Sequence, residues 1–364
     1  MNASRFKVGA AALGLLGIVA SIIGAIFEPD AFFRAWLCSY LFWLGVPLAG
    51  VTLVLVHDLS GGNWMATARP VLDAAIVTMP LASLAGIPAF VGINALYEWT
   101  HPQAGLTNLF YLNMPAFFIR YACYVLIWNL LAAFALWGPR EGRLPIRPGL
   151  SWLSGLGLVA LAFSASFAAI DWILSLEPKF WSSIFPYIQA AGWFNTGMAL
   201  VVLAVALAGW QAHERRTHMN DLSQILFATV IFWAYVEFMQ FLIIWEENLK
   251  TEIHWYVVRL NSTWTPAIYV SAALGFAIPF FVLLWGPSKR SRAAVAIVCV
   301  SILLSRLANT WWLVLPEFGD GTPFWLLIAA VLALGGAMLL LFAWALPRRH
   351  RAPARAALWS ADHA

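Results

Sequence analysis

Residues 232–249, FWAYVEFMQFLIIWEENL, hold one carboxylate, Glu237, among aromatic and aliphatic side chains. Burying an acid in such surroundings is costly, so the position implies a use. Two chemistries suit it. It can tie helices together by hydrogen bonds, or it can take up and release a proton near neutral pH. On a helix, Trp233 and Gln240 lie at i−4 and i+3, so Glu237 belongs to a polar stripe expected to face other helices. Arg120 and Arg306 are the other charges deep within apolar stretches. His57, Asp58, Asp73, Asp171 and Asp221 lie nearer their ends. A guanidinium keeps its charge and needs an acidic or carbonyl partner. Asp171 is the expected one, with Ser164 seven residues earlier on the same face. His57, Asp58, Asp73 and Asp221 form a candidate proton-gathering mouth, although each taken singly is an ordinary helix-end group.

The remaining ligating residues narrow the chemistry. The histidines are His57, His101, His213, His218, His254, His350 and His363, and none falls in the middle of an apolar stretch. A haem inside a helical bundle needs axial ligands at that depth, so no haem or copper site is expected here. Cys38, Cys123 and Cys299 stand far apart without a C-x-x-C spacing, which gives no ligand set for zinc or an iron–sulfur cluster. They are expected as small core residues. No metal site is predicted, and no catalytic residue is assigned.

These side chains must be positioned by helices in lipid. The 364 residues are 62% hydrophobic and 10% charged, against about 25% charged in soluble domains. Ten stretches are long enough to cross a bilayer: 8–27, 33–57, 71–95, 115–137, 150–173, 182–210, 222–246, 263–286, 293–315 and 323–346. The first lacks a good cleavage site and is expected to stay as a helix. With the N-terminal side taken as inside, fifteen of the 21 Lys and Arg fall on inner segments and four on outer ones, while Arg120 and Arg306 lie within spans. That skew follows the positive-inside rule and predicts both termini in the cytoplasm, with 347–364 a basic cytoplasmic tail. The net charge of +4 is thereby explained as topology anchoring and not nucleic-acid binding. Many of the 21 Trp flank spans, among them Trp99, Trp172, Trp181, Trp245, Trp255, Trp264, Trp285 and Trp344, and are expected as headgroup-level anchors. The outer loops are acidic, and no soluble domain is expected on either side. Pro47 is expected to break the second span, and Pro80 and Pro88 the third.

Three passages carry a resemblance: YLFWLGVPLAGVTLVLVHDLSGGNW (40–64), FAAIDWILSLEPKFWSSIF (167–185) and DLSQILFATVIFWAYVEFMQFLIIWEENLKTEIHWYVVRL (221–260). Together they resemble the smaller of two ten-helix membrane subunits of alternative complex III, a bacterial quinol oxidoreductase related to NrfD and polysulfide-reductase membrane subunits. The D-W-x-x-S-L-E-P and Q-F-x-I-W-x-x-N patterns are its specific part. The resemblance implies an all-α fold in the bacterial cytoplasmic membrane. It implies one four-helix bundle over 33–173, a second over 182–315, and flanking helices at 8–27 and 323–346. It also implies a larger NrfD-like paralogue and periplasmic iron–sulfur and multihaem c-type cytochrome subunits as partners. The chain alone is then expected to bind no cofactor, quinone contact stays open, and no quinone ligand is carried over. Glu237 and Met239 depart from the small or hydroxyl residues the resemblance leads one to expect there.

Three functions follow. The first is a membrane subunit of a quinol-oxidising complex that anchors periplasmic redox proteins and conducts protons, with Asp73, His57, Asp58 and Asp221 inward, Glu237 at the midplane, and Asp171, Arg120 and Arg306 outward. The second is a proton-coupled secondary transporter, and the third a structural scaffold.

Overall fold

The structure is a computed structural model that describes residues 3–62, 64–101, 108–137, 151–207 and 214–350. The loop carrying Arg140, Arg143 and Arg147, and the tail from 351, lie outside the described residues. Fourteen α-helices follow in chain order: α1 (Ala3–Phe27), α2 (Pro29–Ser60), α3 (Met65–Val77), α4 (Met79–Val91), α5 (Ile93–Leu96), α6 (Met114–Trp137), α7 (Ser151–Trp172), α8 (Phe185–Leu207), α9 (Glu214–Glu247), α10 (Lys250–Leu260), α11 (Thr265–Ala272), α12 (Ile278–Leu284), α13 (Arg292–Val314) and α14 (Phe324–His350). No strand occurs among the described residues.

Among the described residues ten segments are long and apolar enough to cross a membrane: Ser4–Phe27, Pro29–Ser60, Thr67–Val91, Met114–Leu136, Ser151–Leu176, Phe185–Leu207, Met219–Glu247, Thr265–Leu284, Arg292–Phe318 and Phe324–Leu346. The protein is a multi-pass, all-α membrane protein. In lipid every backbone group must be satisfied inside the segment, which leaves the helix as the spanning form for such sequences.

α2 lies at the centre and packs on α3, α4, α7, α8 and α14. It runs unbroken through Pro47, contrary to the expected break. Close packing from the helices around it outweighs the one backbone hydrogen bond that proline forgoes. The third span does break, at Thr78, where Pro80 enters the first turn of α4; Pro88 stays inside that helix. The eighth span carries a π-helical turn at Ala273–Ala277 between α11 and α12. α1 and α14 pair along their length, with Gly14 against Gly336 and Gly17 against Ala333. The crossing of α2 and α8 is as close: a Cβ on Gly45 would stand 2.7 Å from the Trp193 carbonyl oxygen, and one on Gly197 would stand 2.5 Å from that of Gly45.

The tryptophans divide into two groups. Trp181, Trp245, Trp285 and Trp344 are exposed and suit the headgroup level. Trp99, Trp172 and Trp255 are buried and therefore build the core instead of a belt. Trp172 packs edge-on or tilted against Tyr40, Phe90, Tyr124 and Trp128 at 5.3–5.9 Å, distances at which aromatic pairs add to simple burial. Cys38 and Cys299 are core residues, as expected, but Cys123 is exposed on α6. Its neighbours Ala122 and Leu126 are exposed as well, so this face of α6 meets lipid.

Candidate functional site

Interhelical contacts give the molecule an acidic end and a basic end. At the acidic end, Arg259 of α10 sits 1% exposed between Glu177, at 3.8 Å, and Glu317, at 3.4 Å. Arg259 also donates to the Leu313 carbonyl and stacks on Trp255 at 3.9 Å. Burial pulls its guanidinium down to about 10, against the pull of the two glutamates, so it is charged at neutral pH. His254, exposed, stands 3.9 Å from Glu177. At the basic end, Asp221 lines a cavity of about 420 Å³ with Trp64, Gln224 and Ile225. An adjoining cavity of about 440 Å³ is lined by Lys289, Arg290, Asn220 and Gln224.

The residues singled out from sequence fall into three places. His57, Asp58, Asp73 and Asp221 are all toward the basic end, with separate partners. His57 bonds the Gly62 carbonyl at 2.9 Å and packs on Trp64, which brings it near the Asp221 cavity. Asp58 accepts from Ser154 at 3.1 Å, and Asp73 pairs with Arg69 one turn away at 2.9 Å.

Asp171 and Arg120 come together between α6 and α7. Arg120 Nε donates to Asp171 Oδ2 at 2.8 Å, and Tyr124, one turn along α6, donates to the same oxygen at 2.7 Å. Asp171 is 1% exposed. Arg120 Nη1 donates to the Tyr111 carbonyl, and the guanidinium lies 3.9 Å from the Tyr111 ring. Asp171 Oδ1 and Arg120 Nη2 have no hydrogen-bond partner. Ser164 does not join this pair; it accepts from Trp128 Nε1 at 2.9 Å.

Glu237 and Arg306 form the third place, between α8, α9 and α13. The α9 register is the one its polar stripe requires: Trp233 and Gln240 are each 2% exposed, while Phe232, Tyr235 and Phe238 are more than half exposed. Glu237 is half-buried, with Oε2 sealed and unpartnered. It lies four residues past the midpoint of its span, ~6 Å toward the acidic end. Arg306 is 2% exposed, donates to Asn309 Oδ1 at 2.7 Å and stacks on Trp233 at 4.6 Å. Trp233, on which it stacks, is one turn from Glu237 on α9. Asp171 therefore serves Arg120 and not Arg306, whose hydrogen-bond acceptor is Asn309. Arg306 is also central in the Arg292–Phe318 span and not in its outer half. Gly192 of α8 makes room for the guanidinium, since a Cβ there would stand 2.9 Å from Arg306 Cζ. Arg306 Nε and Nη1, Asn309 Nδ2, Trp233 Nε1 and Gln189 Oε1 have no partners, although each belongs to a buried residue. Buried polar groups left this way are the usual seat of ordered water.

Sequence reasoning missed Tyr124, Asn309, Tyr256 and the Arg259 node. Tyr124 and Asn309 are one helical turn from Arg120 and Arg306, which is a readable spacing. Arg259 gave no signal, because its partners lie 82 and 58 residues away. Among the described residues no group of three or more His, Cys, Asp or Glu gathers as a metal site would require. Neither protein-family models nor curated proteins match the chain.

Proposed function

We propose that this multi-pass protein is the smaller membrane subunit of a bacterial quinol-oxidising respiratory complex, and that Glu237 is a proton-carrying group within it. The observation that carries the proton role is the setting of Glu237: a carboxyl with a free, sealed oxygen, one turn along α9 from Trp233, on which the buried Arg306 guanidinium stacks with two unused donors. A purely structural pair would close to contact, because unpaired buried charge is costly. An open pair retains room for water and for a change of protonation.

The respiratory assignment rests on the three passages that resemble the alternative complex III subunit, and on the polarity of the two ends. The positive-inside rule sets the basic end in the cytoplasm and the acidic end outside. Glu98, Glu246, Glu247 and Glu252 then belong to a face on which periplasmic iron–sulfur and multihaem cytochrome subunits would dock, beside a larger NrfD-like paralogue. No quinone contact is placed on any residue.

Glu237→Gln in the assembled complex is the test. Assembly is expected to be intact, with turnover or proton yield per electron reduced. Unchanged quinol oxidation and unchanged proton yield would refute the role. A secondary transporter is the second reading, favoured by the break at Thr78 and the π-helical turn at Ala273–Ala277, since transporters interrupt spans near their sites. Solute uptake by the purified chain alone would select it.

A further inference from the structure

We propose that Glu237 exchanges its proton with the acidic end of the molecule alone, through a relay over Gln240, Ser182 and Tyr256, and that Arg306 and Trp233 close the route to the basic end. This deepens the proton role given to Glu237 and adds a direction to it.

On the acidic side a hydrogen-bonded chain of polar groups begins one turn from Glu237. Gln240 is one turn from Glu237 and 2% exposed. Its Oε1 accepts from Ser182 Oγ at 2.8 Å, and its Nε2 donates to the Tyr256 hydroxyl at 3.4 Å. Ser182 precedes α8 and is partly exposed, between the exposed Trp181 and Ser183. The relay thus reaches the surface within two side chains of Glu237. The Ser182 and Tyr256 hydroxyls can each accept one proton while donating another. Gln240 passes one by gaining it at Oε1 as it releases one from Nε2, and reverts when the proton returns. Water between Tyr256 and the unpartnered Glu237 Oε2 completes the link.

On the basic side the same helix is closed. Inward of Glu237 its buried apolar residues include Trp233, Val230, Leu226 and Leu222, each 2% exposed or less, and the buried Ser223 is engaged with the Lys289 carbonyl. Thr229 is engaged by the Leu226 carbonyl and Asn195 Oδ1. The Arg306 guanidinium stacks on Trp233, one turn inward from Glu237. A fixed cation beside a path repels protons, as it does in aqueous pores.

Other titratable groups around Glu237 are few. Tyr256 of α10 bonds Gln240 and Arg306 of α13 stacks on Trp233, one turn to either side of it on α9. α8 contributes only Tyr187, which is 60% exposed, and neither the π-helical turn nor α12 contributes any. Arg69 and Asp73 of α3, and Lys289 and Arg290, belong to the basic end.

The experiment uses the full chain in sealed membrane vesicles. Orientation is scored by protease access to a C-terminal tag. A lipid-soluble carbodiimide labels protonated buried carboxyls, and the Glu237 peptide is quantified by mass spectrometry, with Glu237→Gln as the blank. The expected result is labelling that follows the pH on the side of the acidic end and ignores the pH on the other. Gln240→Leu is expected to slow that response about a hundredfold, the low end of what a positioned proton-transfer group contributes. Ser182→Ala, a smaller change, should slow it in the same direction. Labelling that follows the basic side, or both sides, overturns the directional claim and leaves Glu237 a proton carrier. Labelling that ignores both sides overturns the proton role as well. An unaltered rate in both variants, with the fold intact, overturns the relay.

Discussion

Replacing the Arg120–Asp171 pair should reveal what it does. Asp171→Leu removes the acceptor of two hydrogen bonds, from Arg120 Nε and Tyr124, and leaves a guanidinium facing apolar side chains. Breaking one partner of a buried pair costs about 3–5 kcal/mol. The lost Tyr124 bond adds about 1 kcal/mol. Arg120 keeps the Tyr111 carbonyl and the Tyr111 ring, which together offset about 1 kcal/mol. The single variant should therefore lose about 3–5 kcal/mol. Arg120→Met with Asp171→Leu removes both charges. It also removes the unpartnered Asp171 Oδ1 and Arg120 Nη2, so the double variant should lie within about 1 kcal/mol of the parent, as apolar replacement of buried pairs commonly does. The coupling energy from the double-mutant cycle should exceed about 2 kcal/mol. Unfolding by sodium dodecyl sulfate in mixed micelles, followed by tryptophan fluorescence, measures it. A double variant as unstable as the two singles summed would refute the pairing argument. The cycle also separates scaffold from proton route: a stable double variant whose complex keeps full activity assigns this pair a structural role alone.

Two smaller tests address packing and surroundings. Gly197→Val should lose at least about 2 kcal/mol, because overpacking against the backbone of α2 cannot relax cheaply, whereas Gly155→Ala on α7 meets open space and should gain a few tenths to about 1 kcal/mol in helix propensity. Thermal unfolding of the two variants in the same detergent checks both signs. In intact membranes a water-soluble maleimide should label none of Cys38, Cys123 and Cys299, the first and last for burial and Cys123 for its lipid-facing position, while all three should react in dodecyl sulfate.

The spans were legible because lipid imposes one rule on every segment: sustained apolar length. All ten appear in the structure within a few residues of the expected positions. The α9 register was legible for a similar reason, since three polar residues at helical spacing have one common face. Lateral neighbours were not. Nothing in one dimension separates Arg306 from Arg120 as the partner of Asp171; the choice is made by α6 packing on α7 while α13 packs on α8. The tryptophans failed differently. Trp172 stands at a span end and Trp255 in α10 between two spans, where an anchor is the ordinary expectation, but Tyr40, Phe90, Tyr124 and Trp128 cover the first and Phe180, Phe185 and Trp312 the second.

That covering explains why Arg259 is where it is. Span five ends Trp172…Glu177 and span nine ends Trp312…Glu317, each with Trp and Glu five residues apart and a 3₁₀ turn between or around them. Both turns direct a carboxylate toward the same point from opposite halves of the chain, and two like charges there would repel. Arg259 meets both from α10, the segment that follows the Glu237 helix. Its neighbour Trp255 packs on Phe180 beyond span five at 5.0 Å and on Trp312 of span nine at 5.3 Å, so the aromatic contacts repeat the ionic ones. Tyr256, adjacent in sequence, is the relay group reached by Gln240. One short amphipathic helix therefore joins the ends of two spans and carries a hydroxyl of the relay from Glu237. A displacement of α10, by whatever docks on the acidic face, would alter both at once.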